Sequence, residues 1–70
     1  MSWRVRFKNL EVGQRFTRVE WQEGVVSVKI KPYKCYNEKG DKFFWVTSQD
    51  EETGVRNGHT KPDDWVIPVD

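Results

Sequence analysis

The chain has 70 residues, enough for one small domain but too few for two hydrophobic cores or for a nucleotide-binding α/β fold. Hydrophobic residues make up 36% of it and charged residues 33%, a balance that excludes intrinsic disorder and predicts a compact, water-soluble fold. The net charge is only +1, so the chain as a whole is neither strongly basic nor strongly acidic.

The two halves of the chain nevertheless differ in charge. Residues 1–34 carry eight Lys or Arg against three Glu, whereas residues 35–70 carry four basic side chains against eight acidic ones. If the halves form separate faces, one face is basic and the other acidic, an arrangement that orients a charged partner. If strands from the two halves interleave, as they do in many small sheets, the charges neutralise one another.

Several features predict a cytoplasmic protein with no membrane partner. The longest apolar run is the four residues 43–46, and the N-terminus has no apolar signal region. Cys35 is the single cysteine and cannot form an internal disulfide, and no Asn-x-Ser/Thr sequon is present.

The apolar pattern predicts an all-β fold, because period-2 alternation recurs between Gly- or Asn-containing breaks and no ten-residue stretch has helical periodicity. A first strand is expected over residues 3–8, with an aromatic and aliphatic face opposite a cationic one. The inward residues are Trp3, Val5 and Phe7, and the outward residues are Arg4, Arg6 and Lys8. Residues 9–13 form a connector in which Leu10 and Val12 fold back on the core.

A first hairpin follows, with strands over residues 16–21 and 25–31 and a loop at residues 22–24. In the second of these strands the alternation predicts that Val26, Val28 and Ile30 face the core and that Ser27, Lys29 and Lys31 face solvent. Pro32 ends this strand or marks an edge of the sheet.

A second hairpin joins residues 33–38 to residues 42–48 through a turn at 39–41, where Gly40 supplies the positive φ. After an acidic loop at 49–53, Asn57-Gly58 signals a tight turn, and a last strand at 65–69 is confined to an edge by Pro68. Five or six short antiparallel strands predict one domain, residues 1–70, folded as a small, partly open barrel of SH3-like or OB-like type.

The segment Phe7-x-x-Leu10-x-Val12-Gly13-x-x-Phe16 resembles the opening of a group of small uncharacterised all-β proteins of phages and bacteria. The resemblance covers about ten residues, in which apolar side chains cover a core and Gly13 turns the chain. It implies a short accessory protein without catalytic residues, working inside a bacterial cell.

A second resemblance is to the cold-shock family, single domains of this length built as OB barrels that bind single-stranded nucleic acid. Residues 7–16 look like a late segment of that family, and residues 42–46 look like its second aromatic strand. The order along the chain differs and the early Lys-Gly-Phe-Gly-Phe signature is missing, so none of the family's binding residues is carried over.

The inventory of reactive side chains predicts neither an enzyme nor a cofactor or metal site. A nucleophilic pair would require Cys35 with His59, oriented by Asp63 or Asp64, but a mid-strand thiol more often fills a core and a turn histidine is usually solvated. A zinc site would need paired Cys or His ligands, and the acidic run 50–52 lacks the alternation of a calcium loop.

Nucleic acid is the favoured partner, because cations on one surface bind phosphates and flat rings among them stack on bases. The outward faces of the first and third strands supply cations, which Arg15 could extend, and ring candidates also include Trp21 and either Phe44 or Trp45. The predicted nucleic-acid-binding residues are Arg4, Arg6, Lys8, Arg18, Lys29, Lys31, Tyr33, Lys34 and Tyr36.

A protein partner, of bacterial or host origin, is the alternative, with the chain acting as an adaptor or inhibitor and staying a monomer or weak dimer. Exposed aromatic residues anchor interfaces, and acidic residues could address a basic protein. The residues of this alternative are Trp45, Asp50, Glu51, Glu52 and Trp65, although Trp65 is also a candidate for closing the barrel.

Overall fold

The computed structural model describes residues 4–20 and 25–69. These residues form a short 3-10 helix, Phe7–Asn9, and six strands. The strands are β1 (Val5–Arg6), β2 (Arg15–Arg18), β3 (Ser27–Tyr36), β4 (Phe43–Asp50), β5 (Arg56–Asn57) and β6 (Trp65–Val69). The expectations for Trp3, Trp21 and the loop at 22–24 lie outside the described residues.

The strands form one antiparallel sheet in the order β1-β6-β2-β3-β4-β5. The prediction of an all-β antiparallel fold is therefore confirmed. The sheet is open, because its outer strands β1 and β5 do not pair with each other in the described part of the chain. β6 lies between β1 and β2, so the end of the chain pairs with its beginning and the two differently charged halves interleave.

The first strand is shorter than predicted, because the chain turns inward after Arg6. Phe7 begins the 3-10 helix, and its N–H donates to the carbonyl oxygen of Asp64 at 2.9 Å. Phe7 and Leu10 are buried against Phe16 and Val66, with the Phe7 and Phe16 ring centroids 5.2 Å apart in an edge contact. The prediction that Val12 also folds onto this core is wrong, since Val12 is 61% exposed.

The two predicted strands on either side of Pro32 form the single ten-residue strand β3. Its register against β4 shifts between Lys29 and Tyr33, the stretch that contains Pro32, whose nitrogen has no hydrogen to donate. β2 pairs with β3 only at Ser27 and Val28, so from residue 30 onward β3 has a described neighbour on one side alone. Pro32 therefore marks an edge and does not end the strand.

The alternation predicted for the first half of β3 is reversed. Ser27 and Lys29 are buried, whereas Val26, Val28 and Ile30 are only half-buried. The apolar pattern favoured the opposite face, but the aliphatic stem of a lysine can cross a core if its ammonium finds acceptors.

The tight turn predicted at Asn57-Gly58 is wrong, because Asn57 belongs to β5, which pairs with Ser48 and Gln49 of β4, and Gly58 has no positive φ. The chain then passes so close to β4 that a Cβ at Gly58 would collide with the carbonyl oxygen of Trp45. Only glycine fits at this position without a shift of one of the two backbones.

Candidate functional site: an aromatic arm

The β3–β4 hairpin extends beyond the rest of the sheet as an arm, which we define as residues 31–45. The molecule measures 46 × 24 × 20 Å along its principal axes, and its radius of gyration of 12.6 Å exceeds the ~11 Å typical of a 70-residue domain. Every arm residue is exposed except Cys35, which is half-buried. We call residues 4–18 and 65–69, with the segments packed on them, the body.

The tip of the arm is a well-bonded turn. The N–H of Asn37 donates to the carbonyl oxygen of Lys42 and the N–H of Gly40 to that of Asn37, both at 3.0 Å. The side-chain amide of Asn37 donates to Asp41 at 2.8 Å, and Gly40 has the predicted positive φ, +74°. The turn therefore holds the two strands of the arm in one register.

Three rings form a row along one face of the arm, which we call the ring ladder: Tyr36, Phe43 and Trp45. Tyr36 lies opposite Phe43 across the strands, with ring centroids 5.9 Å apart, and the Phe43 and Trp45 centroids are 6.2 Å apart. Because residues 37 and 42 are a hydrogen-bonded pair, Tyr36 and Phe43 are a non-hydrogen-bonded pair, the kind whose side chains come closest. Each ring keeps about half of its surface in solvent, from 49% for Trp45 to 57% for Tyr36.

Lys34 completes this face. It lies opposite Trp45 in the register, and its Nζ is 4.6 Å from the Phe43 ring centroid and 5.6 Å from that of Trp45. A cation above two ring faces is held by their quadrupoles and remains accessible to an anion.

The opposite face of the arm carries Tyr33, Cys35 and Phe44, with Cys35 opposite Phe44 in the register. Phe44 is 55% exposed and Tyr33 40%. Arg56 approaches the Tyr33 ring, with its Cζ 5.9 Å from the centroid. The arm thus exposes rings on both faces, but only the ring ladder is a continuous row of contacting rings.

The charge of the arm is positive. It carries Lys31, Lys34, Lys39 and Lys42 against Glu38 and Asp41. Of the nine predicted nucleic-acid-binding residues, the structure brings four together here: Lys31, Tyr33, Lys34 and Tyr36.

The cations of the first strand do not form the predicted patch. Arg6 stacks on Trp65, its Cζ 3.8 Å from the ring centroid, and donates to the carbonyl oxygen of Asp63 at 2.6 Å. Lys8 lies beyond β1 in the 3-10 helix and pairs with the Asp63 carboxylate at 3.3 Å. Arg4 is exposed just before β1. Alternation fails here because the strand ends at Arg6, and Asp63 engages Arg6 through its carbonyl oxygen and Lys8 through its carboxylate.

Arg18 is likewise engaged within the body. Its guanidinium pairs with Glu20 and, at 3.9 Å, with Asp64, and it donates to the carbonyl oxygen of His59 at 2.7 Å. Its side chain is only 18% exposed, so it offers little surface to a phosphate.

Lys29 is the clearest correction, because the predicted surface cation is 9% exposed. Its Nζ donates to the carbonyl oxygens of Phe7 at 3.0 Å and Leu10 at 2.6 Å, and lies 4.8 Å from the Phe7 ring centroid. Desolvation lowers the pKa of Lys29 from its ordinary value. Lys29 thus ties β3 to the 3-10 helix.

The residues of the protein-binding alternative are not brought together. Trp65 in β6 is separated from Trp45 in β4 by β2 and β3. Trp65 is 43% exposed, and it lies in an open sheet with no barrel for it to close.

The first residue of the acidic run 50–52 forms hydrogen bonds within its own loop. The Asp50 carboxylate accepts the N–H of Thr53 at 2.8 Å and that of Glu52 at 2.9 Å, and these bonds lower the pKa of Asp50. Glu51 pairs with Arg15, and this pair raises the pKa of the Arg15 guanidinium. Arg15, which the sequence offers as an extension of the cationic surface, is therefore engaged by an acid.

Sequence reasoning left Phe43 out of the site and gave Phe44 only as an alternative to Trp45. The feature that decides which rings share a face of the arm is the length of the hairpin loop. A turn at 39–41 places residue 36 opposite 44, whereas the observed loop at 38–41 places Tyr36 opposite Phe43. A one-residue change in loop length exchanges the rings on the two faces of the arm.

Comparisons with protein-family models, with curated proteins and with solved structures find no match to this chain. In residues 4–20 and 25–69, no helix is long and apolar enough to cross a bilayer. No group of three or more His, Cys, Asp or Glu in the same residues is arranged to hold a metal ion.

Proposed function

We propose that the protein is a non-catalytic binding module that holds single-stranded nucleic acid on its arm. The observation that carries the proposal is the ring ladder with Lys34 above it: flat rings half open to solvent, in a row, beside a cation. The opening motif adds the expectation that such a module works as a bacterial or phage accessory protein.

Successive bases of a single strand stack on exposed aromatic side chains, and each such contact contributes about 1–3 kcal/mol. The ring ladder offers three platforms whose positions are fixed by the cross-strand pairing and the bonded turn. Because the platforms are already ordered, little conformational entropy is lost when bases dock on them.

The phosphates would be neutralised by the lysines of the arm. The body contributes little, because Lys8 and Arg18 pair with the carboxylates of Asp63 and Asp64, and Arg6 donates to the backbone carbonyl oxygen of Asp63. Three or four phosphate contacts predict that log K falls with log salt concentration with a slope of about −2 to −3 for a single strand.

Titration of a fluorescein-labelled nine-residue DNA strand at several salt concentrations tests this proposal. We expect Lys34→Ala to weaken binding several-fold and to make the salt slope shallower by about 0.7, the value of one phosphate contact. Lys61→Ala is the matched control, since Lys61 is an exposed lysine outside the arm, and should change neither quantity. Absence of binding by the unmodified protein at low salt would overturn the proposal.

A protein partner is a second candidate, favoured by the rings on the opposite face of the arm. Phe44 is as exposed as the ladder rings, and a strand lying on one face of the arm would not reach it. The edge of β3 beyond Lys29 also leaves backbone groups able to pair with an added strand. If Phe44→Ala abolishes capture of a bacterial protein while nucleic-acid affinity is unchanged, this second function is supported.

A further inference from the structure

A cavity opens where the arm meets the body. It has a volume of about 230 Å³ and is lined by Phe7, Lys8, Lys29, Pro32, Trp45, Thr47 and Pro62. Most of these walls are apolar, and an apolar protein cavity of roughly 150 Å³ already takes up benzene. The cavity can therefore accept one flat aromatic ring system.

The cavity is continuous with the ring ladder, because Trp45 belongs to both. Trp45 contacts Phe43 on its ladder side and forms part of the cavity wall. A strand stacked along Tyr36, Phe43 and Trp45 therefore arrives at the mouth of the cavity, where its next base could turn in between Trp45 and the body.

The charged groups of the wall are donors. Lys8 and Lys29 both line the cavity, and an ammonium can donate but cannot accept. Lys29 has three N–H groups, one more than the carbonyl oxygens of Phe7 and Leu10 accept. A base with a carbonyl oxygen complements such donors, whereas the ring acceptors N1 and N7 of adenine lie beside its amino group, a donor that an ammonium repels.

We propose that this cavity captures one carbonyl-bearing base, that is any base except adenine, from the strand held on the arm. The inference rests on the proposed function and adds to it a preference at one position. The ring ladder binds any base, while the cavity selects one whose carbonyl oxygen accepts a hydrogen bond from Lys29 or Lys8.

Two oligonucleotides test the inference on the unmodified protein: nine deoxyadenosines, and the same strand with thymine at its centre. Because a strand of deoxyadenosines can slide, the single thymine can reach the cavity whichever register binds. We expect the thymine strand to bind about tenfold more tightly, which corresponds to one charge-assisted hydrogen bond of about 1.4 kcal/mol.

A variant that fills the cavity should remove this preference. Pro62→Phe places a ring in the cavity and should bring the two strands to within twofold of each other, with the affinity for nine deoxyadenosines unchanged. Val12→Phe is the matched control, because it adds a ring at an exposed position outside the cavity, and it should keep the tenfold preference.

The results separate the two proposals. Equal, measurable affinities of the unmodified protein for the two strands would overturn the cavity inference and leave the ring ladder standing. Failure of both strands to bind at low salt would overturn the proposed function and this inference with it. A tenfold preference that survives in a folded Pro62→Phe protein would place the selectivity elsewhere and overturn the cavity as its source.

Discussion

The body and the arm use the same kinds of residue in opposite ways. In the body, Phe7 and Phe16 are buried edge to face, and the cations Arg6, Arg18 and Lys29 are each bonded to an acid or a carbonyl. In the arm, five rings and four lysines remain exposed to solvent. The difference indicates that stability resides in the body and binding capacity in the arm, so changes in one should leave the other largely unaffected.

The largest expected effect is a loss of stability from a substitution in the body. Phe16 is completely buried at the centre of the core, and truncation of such a ring costs about 3–5 kcal/mol. We therefore expect Phe16→Ala to lose most of the free energy of unfolding, measured by urea denaturation. Phe43→Ala removes the same side chain from the arm and should cost less than about 1 kcal/mol; equal losses from the two would contradict the division into body and arm.

The next effect concerns Lys29, the lysine of the body that ties β3 to the 3-10 helix. Lys29→Met keeps the stem of the side chain but removes the ammonium, so the carbonyl oxygen of Leu10 loses this donor and that of Phe7 keeps the N–H of Leu10. Leaving a buried acceptor without a partner costs about 1–3 kcal/mol. Urea denaturation at pH 7 should show this loss, and a variant as stable as the unmodified protein would show that the two bonds contribute nothing.

A smaller effect follows from the pKa of Lys29. Because desolvation lowers that pKa in the folded protein, the unfolded chain binds more protons between the lowered value and the ordinary value near 10.4. The free energy of unfolding of the unmodified protein should therefore rise relative to that of Lys29→Met as the pH increases through this window. A difference that falls with pH would mean that the two carbonyl oxygens stabilise the ammonium more than burial penalises it.

The smallest effect concerns the loop that follows β4. The N–H groups of Thr53 and Glu52 lower the pKa of Asp50, so the stability that its carboxylate contributes is present above the ordinary pKa near 4 and is lost as the pH falls through the lowered value. The stability of the unmodified protein should thus approach that of Asp50→Asn on acidification below pH 4. Nucleic-acid affinity of Asp50→Asn at pH 7 should be unchanged, since Asp50 lies outside the arm; a loss of affinity would assign the acidic run to the binding surface.

The elements that were predictable are those set by local chemistry. Alternation gave the strands of the arm, and Gly40 gave its turn, because glycine alone adopts a positive φ without strain. Tertiary contacts decided the rest. Phe7 leaves the strand pattern to fill the core. Lys29 is buried because carbonyl oxygens distant in sequence accept hydrogen bonds from its ammonium. The composition of the ring ladder depended on one residue of loop length, which turn propensities do not fix.

The central claim is that one face of the arm binds nucleic acid, and neighbouring phenylalanines test it most directly. Phe43 and Phe44 are adjacent, similarly exposed and on opposite faces. The account predicts that Phe43→Ala weakens the affinity for a nine-residue DNA strand at low salt about tenfold, the effect of one lost stacking contact, while Phe44→Ala changes it less than twofold. Equal losses from the two variants, or a greater loss from Phe44→Ala, would contradict it.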